Sequence, residues 1–274
     1  MIAEILELFS SEMETPEMYG WFHNLWLLIT ISVTVILCRF CRNASPRRVC
    51  SIILSVTLLV IVLEIYKQIN FTFSVKDNGI IQKDYQWYAF PFQFCSTPMY
   101  VGLLAGITRK GKVHKGLCAY LATYAVFAGF AVMMYPADVF IGTIGINIQT
   151  MICHGSMIVV GVYLMYIGYV KVEHKTILKA VPVFAVALIV AVALNEIMVA
   201  SGILKGETFN MFFVSPHFAP SLPVYSLVQQ VVPYPLSLVI YIVGFTAAAY
   251  IILLIAILAK KVGKRKTQDV AVAS

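Results

Sequence analysis

The sequence predicts an all-α fold: a polytopic membrane helical bundle of seven transmembrane helices, N-terminus outside and C-terminus cytoplasmic. Three observations carry this. Apolar residues make up 60% of the 274 residues, while Asp, Glu, Lys and Arg make up only 12%. Soluble domains carry roughly 25% charged residues, so too few charges remain to solvate a surface in water. The apolar residues gather into long runs near the roughly 20 residues that a span requires. Finally, sixteen of the twenty basic residues cluster at alternate connections.

The elements follow in order. Residues 1–20 form an acidic extracytoplasmic tail. Ile2, Ile5, Leu6 and Phe9 fall on one helical face opposite Glu4 and Glu7, so the tail reads either as a short interfacial helix or as a frayed end. A cleavable signal peptide would be basic here, and this segment is acidic. The transmembrane domain occupies 21–259, with apolar runs at 21–40, 49–68, 88–107, 115–134, 149–170, 177–199 and 236–258. Backbone facing lipid must satisfy its own hydrogen bonds, and continuous apolar runs suit helices, not alternating barrel strands. The stretch 200–235 is too polar and proline-rich for an eighth span. Residues 260–274 form a basic cytoplasmic tail.

Charge sets the orientation. Arg39, Arg42, Arg47 and Arg48 surround the first connection; Arg109, Lys110, Lys112 and Lys115 the third; Lys171, Lys175 and Lys179 the fifth. Lys260, Lys261, Lys264, Arg265 and Lys266 follow the last span. The positive-inside rule makes this side cytoplasmic. The net charge of +7 therefore reports orientation and not nucleic acid, for which no binding module is present.

Polar side chains inside spans are costly and need a reason. Counted from the basic edge, His23, Glu64, Cys95, His154 and Glu196 all lie 14–17 residues in, a depth of about 21–26 Å at the helical rise. Glu64 and Glu196 would also be explained by snorkelling to the outer interface, and His23 by an interfacial position. In the third run, WYAFPFQFCSTPMYVG, Pro91 and Pro98 bracket Gln93, Cys95, Ser96 and Thr97. Pro98 has no N–H for the Phe94 carbonyl, so a kinked helix with a free carbonyl is expected beside Cys95. Such backbone is tolerated where it is buried or lines a cavity. In the fifth run Thr150 and His154 share a face, and Gly155 admits a close neighbour.

Between the last two runs, Pro216, Pro220 and Pro223 hold an extended segment containing His217, which reads as a lid or as a surface loop. Cys38, Cys41 and Cys50, with His114 as a fourth ligand, were they to converge, would match zinc, although a single C-x-x-C is weak. Asn70-Phe71-Thr72 fits a glycosylation acceptor. There is no Walker loop or dinucleotide fingerprint, and no cofactor or metal is implied.

Three segments, PFQFCS at 91–96, CHG at 153–155, and Asn195 followed by FNMFFVSP at 209–216, stand in an order that resembles the YwaF-like integral membrane proteins of bacteria. These are related to the eukaryotic transmembrane protein 164 family. The resemblance covers nearly the whole chain. It implies lipid acyl transfer between phospholipid and lysophospholipid, with Cys95 as nucleophile and His154 as its base. Asn195 and Asn210 match polar positions of the pattern without an assigned role. Gln93 stands where a His is frequent, and FNMFF where an Asn-Tyr pair is common, which leaves the substrate open.

Chemistry permits this reading. An unperturbed thiol is mostly protonated at neutral pH and needs a base. Asn195 or Glu196 would orient the imidazole, Ser96 or Asn210 would donate to the oxyanion, and Glu64 would support the site. The alternative is a non-catalytic transporter or binding protein for a small solute, which lacks the inverted repeat such proteins often carry. A retinal protein would need a lysine in 236–258, which has none.

Overall fold

The computed structural model describes residues 2–76, 79–219 and 222–273. Met1, Pro220 and Ser274, which fall in segments discussed above, lie outside them. The chain is 70% helical. Among the described residues, six helices are long and apolar enough to cross a membrane.

The N-terminal tail is ordered. Helix α1 (Ile2–Phe9) buries Leu6, and the Phe9 carbonyl accepts from Tyr66 Oη at 2.6 Å and Asn70 Nδ2 at 3.0 Å. Asn70 thus has its amide engaged inside the fold, a poor setting for a glycan. Residues 11–13 then strap onto the 141–144 loop through backbone bonds, including Met13 N to Gly142 O at 2.8 Å.

Helix α2 (Trp21–Phe40) matches its apolar run residue for residue. Helix α3 (Pro46–Asn70) opens on a Ser45 cap with Pro46 in the first turn, where a missing N–H costs nothing. A two-stranded antiparallel hairpin follows, β1 (Phe73–Val75) and β2 (Ile81–Lys83), pairing Ser74 with Gln82. It is a small exception to an all-helical fold.

The third run departs from expectation. Instead of a helix over 88–107, a 3-10 turn at Trp87–Ala89 leads into irregular backbone, and helix α4 begins only at Thr97 (Thr97–Thr108). Pro98 sits in the first turn of α4, so it starts a helix where a kink was expected. The Phe94 carbonyl is not left free, because Thr97 Oγ1 donates to it at 2.8 Å. Tyr100 Oη likewise satisfies the Pro91 carbonyl at 2.8 Å.

Helices α5 (Gly111–Ala122) and α6 (Tyr124–Met134) form one span interrupted at Thr123, whose backbone is non-helical. Helix α7 (Ile144–Tyr166) and helix α8 (Thr176–Ala200, with Pro182 inside it) follow. A loop, the short helix α9 (Pro223–Val231) and the long α10 (Tyr234–Ala273) close the chain. Pro223 thus opens a helix, where an extended segment was expected.

Burial separates two layers. The α5–α6 span is 72% buried and α7 is 67% buried, whereas α10 is 17% and α2 22% buried. The outer helices therefore present apolar side chains such as Leu28, Ile189 and Ile251 outward, the pattern of a lipid-facing surface. Helix α7 packs against α2, α3, α5 and α6. Small residues set these approaches: a Cβ on Gly155 would lie 2.6 Å from Thr30 Oγ1. A Cβ on Gly102 would overlap the hydroxyl of Thr57, bringing α4 against α3.

Candidate functional site

The irregular stretch before α4 is held by amide clamps. Gln93 Nε2 donates to the Asn210 carbonyl at 3.0 Å, and Gln93 Oε1 accepts from Phe212 N at 2.9 Å. From α8, Asn195 does the same to Met211, with its Nδ2 donating to the carbonyl at 3.0 Å and its Oδ1 accepting from the N–H at 2.7 Å. Asn210 Oδ1 accepts from Ser215 N at 2.9 Å. Side-chain amides mimic a strand edge here, so a loop without regular structure stays satisfied while buried. Phe212 and Phe213 both hold positive φ, at 58° each, a conformation uncommon for bulky residues.

These bonds correct two expectations. Asn195, expected to orient the imidazole, has both ends of its amide on Met211 and holds the loop, as Asn210 does through Ser215. Glu196 lies on the exposed side of α8, 3.0 Å from His217 Nε2, away from the buried polar groups.

Cys95 stands just ahead of α4. Ser96 is the N-cap residue, yet its hydroxyl makes no cap bond and lies beside the Cys95 thiol. The positive end of α4 faces the same place, a setting that favours developing negative charge. Cys95 and Cys153 line one small cavity of 30 Å³ between α3, α4, α5 and α7, together with Thr57, Met99, Ser156 and Met157.

His154 follows Cys153 on α7 and is 7% exposed. Its Nδ1 lies 2.7 Å from the Thr150 carbonyl. A carbonyl only accepts, so Nδ1 carries the hydrogen and Nε2 presents a lone pair. Nε2 is buried and has no hydrogen-bond partner. The imidazole is thus oriented by the carbonyl of its own helix, one turn back. No hydrogen bond joins it to Cys95.

Glu64 is 8% exposed and does not snorkel to the interface. Its carboxylate accepts from Gln68 Nε2 at 2.7 Å and from Lys67 Nζ at 2.8 Å. Gln149 Nε2 lies 3.5 Å from its other oxygen and 3.3 Å from Cys153 Sγ. Tyr85 Oη donates to Gln68 Oε1 at 2.7 Å. A polar chain therefore runs from Tyr85 at the hairpin through Gln68, Glu64 and Gln149 to the thiol pair. The Tyr85 phenol, outside the spans, is pushed up to about 12 by burial and by the Glu64 charge. His23, also buried, is committed elsewhere: its Nε2 donates to the Met133 carbonyl at 2.8 Å, and its Nδ1 accepts from Tyr19 N.

Beside this chain an open groove of 350 Å³ runs between α3 and α4, walled by Ile61, Ile65, Ile69, Tyr100 and Pro91, with Glu64 and Gln68 at its polar edge. Met99 lines both the groove and the thiol cavity and is the side chain between them. Sequence reasoning missed Gln149, Cys153 and Gln68. Their signal was present: Gln149 and Cys153 are four apart, as are Glu64 and Gln68.

Cys38, Cys41 and Cys50 do not come together with His114 in a metal-binding group among the described residues. His114 instead contacts the Ala105 carbonyl at 3.0 Å and Tyr169 Oη at 2.7 Å. Among the described residues no group of three or more His, Cys, Asp or Glu is placed to hold a metal.

The family model described as the TMEM164 family matches residues 18–258, which include every residue of this site. The chain belongs to the TMEM164 family. No curated protein and no solved structure matches it. Membership and the apolar helices together make this a multi-pass membrane protein. As a TMEM164-family chain it carries the PFQFCS and CHG segments side by side, on the irregular stretch before α4 and on α7.

Proposed function

We propose that this protein is a membrane acyltransferase that moves a fatty acyl chain between phospholipid and lysophospholipid, with Cys95 as nucleophile and His154 as base. One observation carries the reading most: a buried histidine whose Nε2 lone pair has no partner, one residue along α7 from a cysteine that shares a cavity with Cys95. An unsatisfied buried acceptor costs about 1–3 kcal/mol, so its retention asks for a chemical reason. The apolar groove, with a polar edge at Glu64, suits an acyl chain below an ester group. The cavity at the thiols is far smaller than the roughly 300–1,000 Å³ of small-molecule sites, which speaks against a solute site there.

The chemistry balances with these residues. As the Cys95 sulfur attacks the ester carbonyl carbon, its proton passes to His154 Nε2. The carbon–oxygen bond to glycerol breaks, and the glycerol oxygen takes the proton from His154, leaving an acyl-thioester and a lysolipid. A second lysolipid hydroxyl gives its proton to Nε2 and attacks the thioester carbonyl. The carbon–sulfur bond breaks and the thiol regains its proton. Ser96 Oγ, uncommitted to a cap, donates to the oxyanion. On this reading Sγ and Nε2 come into hydrogen-bond reach during the reaction, while the Thr150 carbonyl holds Nδ1.

The seven-crossing topology belongs to the same reading. The segment 90–96 together with α4 completes a seventh crossing, the N-terminus lies outside, and the C-terminus lies in the cytoplasm of a cell whose outer boundary membrane holds the protein. Substitution Cys95→Ala in purified protein, assayed with labelled phospholipid and lysolipid, is expected to reduce acyl transfer by about 10²–10⁴-fold. Unchanged transfer would remove Cys95 from the reaction.

A further inference from the structure

The basic end of the bundle holds a second cavity, unrelated to the thiols. It is a 530 Å³ cleft between the N-terminus of α3, the C-terminus of α4, the start of α5 and the α7–α8 connection. Five cations line it, Arg109, Lys110, Lys115, Lys171 and Lys179, against one carboxylate, Glu173. Glu173 lies 3.4 Å from Lys179. Among the described residues no carboxylate pairs with the other four.

Basic residues at the ends of spans are ordinary, and a solvated, dispersed set would need no further account. These are not dispersed. They ring a concavity with an ordered floor, where buried His114 is fixed between the Ala105 carbonyl and Tyr169 Oη, beside Cys118 and Ala119. Five exposed like charges around one concavity focus a positive potential into it, which raises the local concentration of anions. The first turn of α5 adds to the same sign: Gly111 lines the cleft and its N-cap Lys110 makes no side-chain cap bond, so the positive end of that helix faces in. The volume lies within the roughly 300–1,000 Å³ of small-molecule sites, larger than a bare ion needs.

We infer that this cleft binds a phosphate-bearing ligand at the basic face of the bundle. The ligand chemistry is a phosphate ester, met either by a soluble metabolite or by the headgroup of an anionic lipid. The site stands apart from the acyl-transfer reading and does not depend on it.

Purified full-length protein would be placed in phosphatidylcholine nanodiscs and titrated with glycerol phosphate by calorimetry. A second set would carry phosphatidic acid in the disc, read by the shift in melting temperature. Saturable binding of glycerol phosphate identifies a soluble ligand, and stabilisation by phosphatidic acid alone identifies the lipid source. In either arm, the double variant Lys115→Gln/Lys171→Gln is expected to bind about tenfold more weakly. The variant Lys76→Gln/Lys83→Gln, whose lysines lie at the hairpin, is expected to bind as wild type does. Glu173→Gln, which frees Lys179 from its only carboxylate, is expected to bind more tightly. Absence of binding in both arms, or equal losses in the cleft and hairpin variants, would overturn the inference.

Discussion

His154 is the residue whose environment is least economical. Its Nδ1 duplicates a contact to a carbonyl that already serves the helix, and its Nε2 is buried without a partner. A buried lone pair without a partner costs stability whatever else the residue does. Replacing His154 by Met removes the stranded acceptor while filling similar space. The melting temperature of His154→Met is therefore expected to equal or exceed that of wild type, while acyl transfer falls by about 10²–10⁴-fold. A large loss of stability with transfer intact would assign His154 to the core alone. That Cys95 and His154 are costly side chains at one depth is legible in the sequence, and both are indeed buried or half-buried in the bundle. Their partners are not legible there. Thr150 was noted only as a neighbour on the same face, and nothing local announces that its carbonyl, and not Asn195 or Glu196, orients the ring.

At the scale of elements, six of the seven apolar runs became helical, five with ends within about five residues of expectation and the last running on to Ala273, because continuous hydropathy in lipid leaves helix as the only satisfied backbone. The third failed for a reason that hydropathy does not carry. Gln93, Thr97 and Tyr100 meet the backbone polar groups of 90–96 or of the loop that covers them, and they do so across 117 residues of chain in the case of Gln93 and Asn210. Long-range clamps of that kind are invisible to a local window. Their energetic weight is testable at Asn195, which holds both polar groups of Met211. Asn195→Leu strands one buried N–H and one buried carbonyl, and is expected to cost about 2–4 kcal/mol. Thermal unfolding in detergent measures it, and a change within error would mean that the loop is held by its aromatic contacts alone.

The same scale governs access. Met99, in the first turn of α4, stands between the open groove and the small cavity of the two thiols. A flexible, unbranched side chain is well suited to give way there. Met99→Ala should join the two spaces and speed alkylation of Cys95 by a lipid-soluble maleimide severalfold, with Cys153 the second site to react. Mass spectrometry of the modified peptides reads both rates. Equal labelling in wild type and variant would place the entry route elsewhere.

For the molecule as a whole, charge and shape converge on one orientation. The basic connections and the cleft of Arg109, Lys110, Lys115, Lys171 and Lys179 lie at one end. The hairpin, the strapped acidic tail and the polar chain from Tyr85 to Cys153 lie at the other. Six long helices alone would return the chain to its starting side, so the tails share a compartment unless the stretch 90–96 and α4 make a crossing of their own. The proposed seventh crossing draws on two contacts: Gln68, near the end of α3, donates to the Ala89 carbonyl at 2.9 Å, while Gly106, near the end of α4, abuts Leu54, two turns into α3. The segment therefore runs antiparallel to α3 along most of its length, part irregular and part helical. Cysteines introduced at Glu4 and Lys264 in a chain lacking its native thiols are expected to react from opposite sides with a membrane-impermeant maleimide, Glu4→Cys in intact cells and Lys264→Cys only after permeabilisation. Reaction of both from the same side would leave six crossings, put the acidic tail among the basic connections, and break the link between depth and chemistry on which the placement of the thiol site beside an ester carbonyl rests.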